Sequence, residues 1–207
     1  MQPHGPLMEE HRLIERMIAL VKTEIVRIQI ADELDPAFID LVVDFIRVYA
    51  DHTHHGKEEE ILFPGLMAKG MAPAHEAMLH ALVAEHRYAR QLTASLVTAR
   101  NDYVGGNREA LGRVVSLMMA LTDFYPRHIA REDAEFFPAA MDYLDEGEQA
   151  DMLDLFLEFD RAVIHEKYGS VVDLLDVRHR THGERRPIRL RFDHPDSWIH
   201  AGIAIDG

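Results

Sequence analysis

The run HHGKEEEILFP, residues 54–64, sets two histidines ahead of three glutamates and then turns apolar. Imidazole nitrogens and carboxylate oxygens in one short stretch can hold a cation, join a salt-bridge network, or stay in water. The apolar continuation argues for burial, and an unpaired buried carboxylate costs roughly several kcal/mol. A second run, HIAREDAEFFP at residues 128–138, repeats the arrangement, aligning His54 with His128 and Glu58 with Glu132 at an offset of 74. MEEHRLIERM and VAEHRYARQL also match, aligning His11 with His86 at an offset of 75. The chain reads as a two-helix unit used twice.

Those residues need elements to carry them. Leu7, His11, Ile14, Ile18, Val21, Ile25 and Ile28 recur at alternating spacings of four and three, the pattern of an amphipathic helix over residues 6–30. DELDP interrupts it, and a second helix is expected over residues 36–67, where KGMAP ends it. A third should open at Pro73 and run to about Asn101, stopped by Gly105 and Gly106, and a fourth should span residues 108–144. Four long helices with short connections describe an all-α, up-down-up-down four-helix bundle. The expected division is a bundle over residues 1–144 and a C-terminal helical extension with a basic tail over 145–207. The extension should form one or two further helices packed on the bundle. From Arg178 the tail holds six arginines up to Arg191, and IRLRF alternates like a short strand. It reads as a solvated or partner-contacting segment.

Helical periodicity then decides which donors face inward. At 100° per residue, with His128 as zero, Glu132 falls at about 40°, inside the stripe that carries Val114, Leu117, Leu121 and Phe124. Asp133 falls at about 140°, off that stripe. His11 sits on the apolar seam of the first helix, and His86 shares a face with Leu79 and Leu82. The second helix is ambiguous: His54 and Glu58 share a face with Val43, Ala50 and Ile61, whereas His55 and Glu59 share one with Leu41, Phe45 and Val48. The repeat favours His54 with Glu58 and leaves His55 with Glu59 as the fallback. His52 and His55 then read as groups flanking the site.

His11, His54, Glu58, His86, His128 and Glu132 thus converge on the bundle axis. A lone core histidine is more often a hydrogen-bonded structural residue, but six donors recurring in two matched halves suit a pair of metal ions. Imidazole with carboxylate fits iron, manganese or zinc, and carboxylates bridge two cations while offsetting their charge. Composition closes other routes. The 207 residues carry a formal net charge of -14, which disfavours nucleic acid as a partner, and no cysteine, which removes disulfides and thiolate sites. With no apolar run of about 18 residues and no basic-then-apolar leader, a soluble cytoplasmic protein without membrane contact is the expectation.

These motifs, EEH and AEH in alternate helices with HHGKEEEILFP and HIAREDAEFFP in the others, resemble the hemerythrin-like (HHE cation-binding) family over roughly residues 7–144. The DEGEQ…FDRAVIHEKY stretch resembles the C-terminal helix that many bacterial members add. The resemblance implies a non-haem, oxo- or hydroxo-bridged di-iron centre, with zinc or manganese as alternatives. His11 and His54 would hold one iron, His86 and His128 the other, and Glu58 and Glu132 would bridge them. It also implies a small ligand such as O2, peroxide or NO, and a role as sensor, scavenger or store. A di-iron redox enzyme, or an iron donor for repair of damaged iron–sulfur centres, is the alternative. A second copy of the chain, or a separate chain contacted by the tail, is the macromolecular partner left open. Leu82 stands where oxygen-carrying members place a fifth histidine, so four histidines would leave both irons with open positions and favour redox reactivity over reversible carriage.

Overall fold

The structure is a computed structural model, and it describes residues 2–160 and 163–180. Six helices are present and no strand among the described residues. We label them α1 (His4–Ala31), α2 (36–67), α3 (Pro73–Val104), α4 (110–141), α5 (Glu146–Asp160) and α6 (Val163–Arg180). The all-α expectation holds, with helix ends within a few residues of those read from the breakers. No described helix is long and apolar enough to cross a membrane. The IRLRF segment, the arginines beyond Arg180 and the histidines at 182, 194 and 200 lie outside the described residues, and so do the side chains of His165, Arg178 and His179.

The helix ends follow local chemistry. Asp32 closes α1 in the left-handed region at φ 50°, its N–H donating to the Ile28 carbonyl 2.9 Å away. Asp35 caps α2 by accepting from the Ala37 N–H at 3.0 Å, with Pro36 in the first turn, where a missing N–H costs nothing. Asp145 and Glu148 bond each other's N–H groups at 2.9 and 3.0 Å, a capping box that starts α5.

Two apolar layers enclose a polar one. The larger joins Ile14–Ile28 of α1 to Phe38–Ala50 of α2, Ala89–Ala99 of α3, Leu111–Ile129 of α4, and Tyr168, Val172 and Leu175 of α6. The smaller joins Leu7, Leu62, Phe63, Leu66, Leu79, Leu82, Phe136 and Phe137 to Met152 and Phe156 of α5. Between them lie His11, His54, His55, His86 and His128 with Glu58 and Glu132. Leu82 belongs to the smaller layer. Of the two adjacent methionines in α4, Met118 is core and Met119 is half exposed.

The second and fourth helices are not regular α-helices. Ile46–His55 and Glu58–Leu62 of α2, and Glu132–Phe136 of α4, are π-helical, with i→i+5 bonding. Both short π turns run straight into Phe-Pro, Phe63-Pro64 and Phe137-Pro138, and each phenylalanine N–H bonds the carbonyl five residues back, at Glu58 and Glu132. Proline lacks an N–H and crowds the carbonyl four residues before it, so an i→i+4 ladder cannot continue through it unchanged. The wider turn falls where the glutamates project, as π bulges at functional sites often do.

Candidate metal centre

Five imidazoles, not four, meet in the polar layer. His11 (α1), His54 and His55 (α2), His86 (α3) and His128 (α4) are each at most 2% exposed. Glu58 and Glu132 are fully buried among them. Two groups of donors lie close enough to share a cation: His11, His54, Glu58 and Glu132, and then His55, His86 and His128. The glutamates stand between the groups. Glu132 lies 3.2 Å from His11 Nε2 and 3.3 Å from His128 Nε2, while Glu58 lies 3.7 Å from His54 Nε2 and 3.4 Å from His86 Nε2.

His55 corrects the expectation of a flanking group, whereas His52 is exposed as expected. In a regular α-helix, neighbouring residues diverge by about 100° and only one of His54 and His55 could face the axis. The π stretch Ile46–His55 places more residues in each turn, so both point inward. His55 stacks on His86 with ring centroids 3.8 Å apart and planes 7° from parallel. The inference of open positions from four histidines therefore loses its premise. Position 82 is part of the apolar layer, and the fifth imidazole comes from α2.

Every one of the five rings is anchored from outside through Nδ1. His11 bonds Asp133 at 2.7 Å, His54 bonds Glu10 at 2.8 Å, His86 bonds Glu59 at 2.7 Å and His128 bonds Glu85 at 2.8 Å. His55 reaches Asp51 at a longer 3.3 Å. A carboxylate accepting from Nδ1–H fixes the tautomer, leaving the Nε2 lone pair free and more basic. Cations brace the carboxylates in turn: Arg12 on Asp133, Lys57 on Glu10, Arg131 on Glu85, and Arg90 on both Asp51 and Glu59. The fallback Glu59 and the off-stripe Asp133 are thus supports that face outward from the polar layer.

The sequence repeat reappears in space. Glu10 and Glu85 occupy matching positions, as do Glu59 and Asp133, Lys57 and Arg131, and Phe63 and Phe137. Phe63 stacks on His86 and Phe137 on His11 at centroid distances of 6.1 and 5.8 Å. The repeat offset could have exposed this outer ring of supports, since each pair recurs at it. His55 is the exception: Ile129 stands at its counterpart. The sequence carried two signals for it: the apolar face it shares with Leu41, Phe45 and Val48, and Asp51 four residues before it.

The electrostatics ask for positive charge at the centre. Burial, then the negative charges of Glu132 and Glu10, push the Glu58 carboxyl well above the usual range. For Glu132 burial acts the same way, but His128, His11 and His86 outweigh it and hold the carboxyl well below its ordinary value. Burial, then His11, push His54 down to about 4. His11 goes up to about 9, because Asp133 and Glu132 overcome its burial. None of the four oxygens of Glu58 and Glu132 accepts a hydrogen bond from a described residue, and Nε2 of His55, His86 and His128 is equally without a partner. Buried polar atoms are rarely left so. Nitrogen and oxygen donors aimed at a common centre, with no sulfur, fit divalent or trivalent first-row metals.

A family model described as the hemerythrin HHE cation-binding domain matches residues 3–140. Uncharacterized proteins of Mycobacterium tuberculosis and Mycobacterium bovis are 27% identical over 172 residues, covering 81% of this chain and 65% of their own length. No solved structure matches the chain. The chain belongs to the family of hemerythrin HHE cation-binding domains.

Proposed function

We propose that the protein holds a di-iron centre and responds through it to O2, peroxide or nitric oxide, as a sensor, scavenger or store. One observation carries the reading: two fully buried carboxylates, without hydrogen-bond partners, stand between two groups of imidazoles whose Nε2 atoms face them. A single cation would leave one group unused. His11 and His54 would hold one ion, His55, His86 and His128 the other, and Glu58 and Glu132 would bridge.

Bound there, two irons would supply one- and two-electron exchange with a small ligand. The chain's own contribution is asymmetry, exclusion and support. Two nitrogens on the His11–His54 side against three on the other leave the first side with fewer protein donors. The apolar layers around Leu82 and Leu121 keep bulk water from the site. The outer carboxylates hold each Nδ1–H, so that Nε2 is the atom each imidazole would offer to a metal.

The test is metal analysis of protein purified without added metal, followed by its absorption spectrum in air and after reduction. About two irons per chain, with oxo-bridge charge-transfer bands that bleach on reduction, is the expected result. Two zincs and no visible band would overturn the reading.

A further inference from the structure

The family match ends at residue 140, yet the metal centre's supports continue past it. Lys57, two residues after His55, is fully buried, which is rare for a lysine unless it is paired. Its ammonium contacts Glu10 on one side and Asp160, the last residue of α5, at 2.5 Å on the other. Glu10 is the carboxylate that accepts from His54 Nδ1. The ammonium also lies 5.8 Å from the centre of the Phe156 ring, one helical turn earlier in α5. Gly56 makes this approach fit: a Cβ there would meet Phe159 at 2.9 Å, so α5 packs against the bare backbone of the histidine motif.

The other half of the repeat supplies an internal comparison. Arg131, the counterpart of Lys57, braces Glu85, and Glu85 braces His128, but Arg131 is 41% exposed and pairs with no second carboxylate among the described residues. The two supports differ chiefly in what α5 adds. From this we infer that Asp160 is a positioning residue of the metal centre, setting the strength of the His54 donor through Lys57 and Glu10. The physical reason is competition for one carboxylate. With Asp160 sharing the ammonium, Glu10 keeps its charge available to His54 Nδ1–H, and His54 Nε2 stays basic. Without that charge, the ammonium draws wholly on Glu10, and the bond to His54 weakens. Removing a buried negative charge also makes a cationic centre less favourable there. Both effects act in one direction.

The inference rests on the metal-centre reading but not on iron or its redox chemistry, so cobalt(II) serves as the probe. Cobalt(II) affinity is measured by chelator competition in the full chain, with the visible d–d bands recorded. Asp160→Asn keeps the shape and a hydrogen bond to Lys57 but removes the charge, and should weaken cobalt binding about tenfold, the low end of what loss of a metal ligand's support costs. Asp160→Glu, which restores the charge, should stay within about threefold of wild type. Asp154→Asn, an exposed carboxylate on the same helix, should change nothing.

A double-mutant cycle then tests the route. Asp160→Asn should be strongly non-additive with Glu10→Gln and additive with Glu85→Gln, whose histidine lies on the other side. Unchanged affinity in Asp160→Asn, equal losses in Asp160→Asn and Asp160→Glu, or the same coupling to Glu10 and Glu85 would each overturn the proposal. Should Asp160→Asn fail to fold, Asp160→Ser, which removes the charge but keeps a hydroxyl for the Lys57 ammonium, takes its place in both cycles. Two zincs in the native protein would sink the di-iron reading and leave this result untouched.

Discussion

At the residue scale, the centre is a set of imidazoles whose quality depends on what stands behind them. His54 and His128 occupy equivalent places in the repeat, each with an outer glutamate and a cation behind that. His54→Ala and His128→Ala should therefore lower metal affinity to a similar degree, by more than about 100-fold, since losing a donor exceeds losing its support. His55→Ala should cost less, about tenfold, because its Nδ1 support is the longest of the five. Equilibrium dialysis followed by metal analysis compares the three. Full retention of metal in His55→Ala would remove it from the donor set. This ranking was only half legible in the sequence. The repeat singled out His54 and His128, but nothing in an α-helical wheel allows two neighbouring residues to share the axis.

At the element scale, the donors are aimed by departures from the α-helix. Pro64 and Pro138 are both exposed, so their rings add nothing to the core. Their effect is on the backbone: each removes a donor just after a glutamate-bearing π turn. Pro64→Ala restores an N–H and a better helix former and should stabilise the metal-free protein by about 1 kcal/mol or more. The same change lets α2 relax toward i→i+4 bonding, rotates Glu58 away from His86, and should weaken metal binding. Urea denaturation without metal and zinc competition measure the two halves of this trade. Stabilisation with unchanged zinc affinity would mean that packing, not proline, sets the π turn. The helix breakers at DELDP, KGMAP and the paired glycines were readable from local chemistry, and the ends fell close to them. The π turns were not, because they reflect how the helix meets its neighbours as well as its own sequence.

At the scale of the whole molecule, the centre ties the parts together. Donors come from α1, α2, α3 and α4, so a bound cation adds a link among four segments that already meet through apolar packing and the outer ion pairs. At a free metal concentration 100 times the dissociation constant, binding would add about 2.7 kcal/mol, and removing the metal with a chelator should lower the melting temperature by about 5–10 °C. Truncation after Arg178 should leave metal content and this shift intact, since every candidate donor and every support seen among the described residues precedes it. Truncation after residue 145 should not: it strips the Lys57 ammonium of Asp160 and uncovers the smaller apolar layer that Met152 and Phe156 close. Calorimetry of the three lengths, with and without chelator, checks both statements. Loss of metal on truncation after Arg178 would give the tail a part in the site.

The sequence alone determined what depends on short-range pattern. The four long helices, the two-fold repeat, and the choice of His11, His54, Glu58, His86, His128 and Glu132 as candidate donors follow from periodicity, spacing and the repeat offset. Packing decided the rest. His55 enters because the backbone of α2 widens, Asp133 and Glu59 turn outward to hold the histidines of other helices, and Lys57 is buried because α5 folds back to meet it. For the outer supports and Lys57 the deciding partner is distant in sequence, 122 residues away for His11 and Asp133 and 103 for Lys57 and Asp160. Local pattern places a side chain on a face, and only the assembled layers determine which charge stands opposite it.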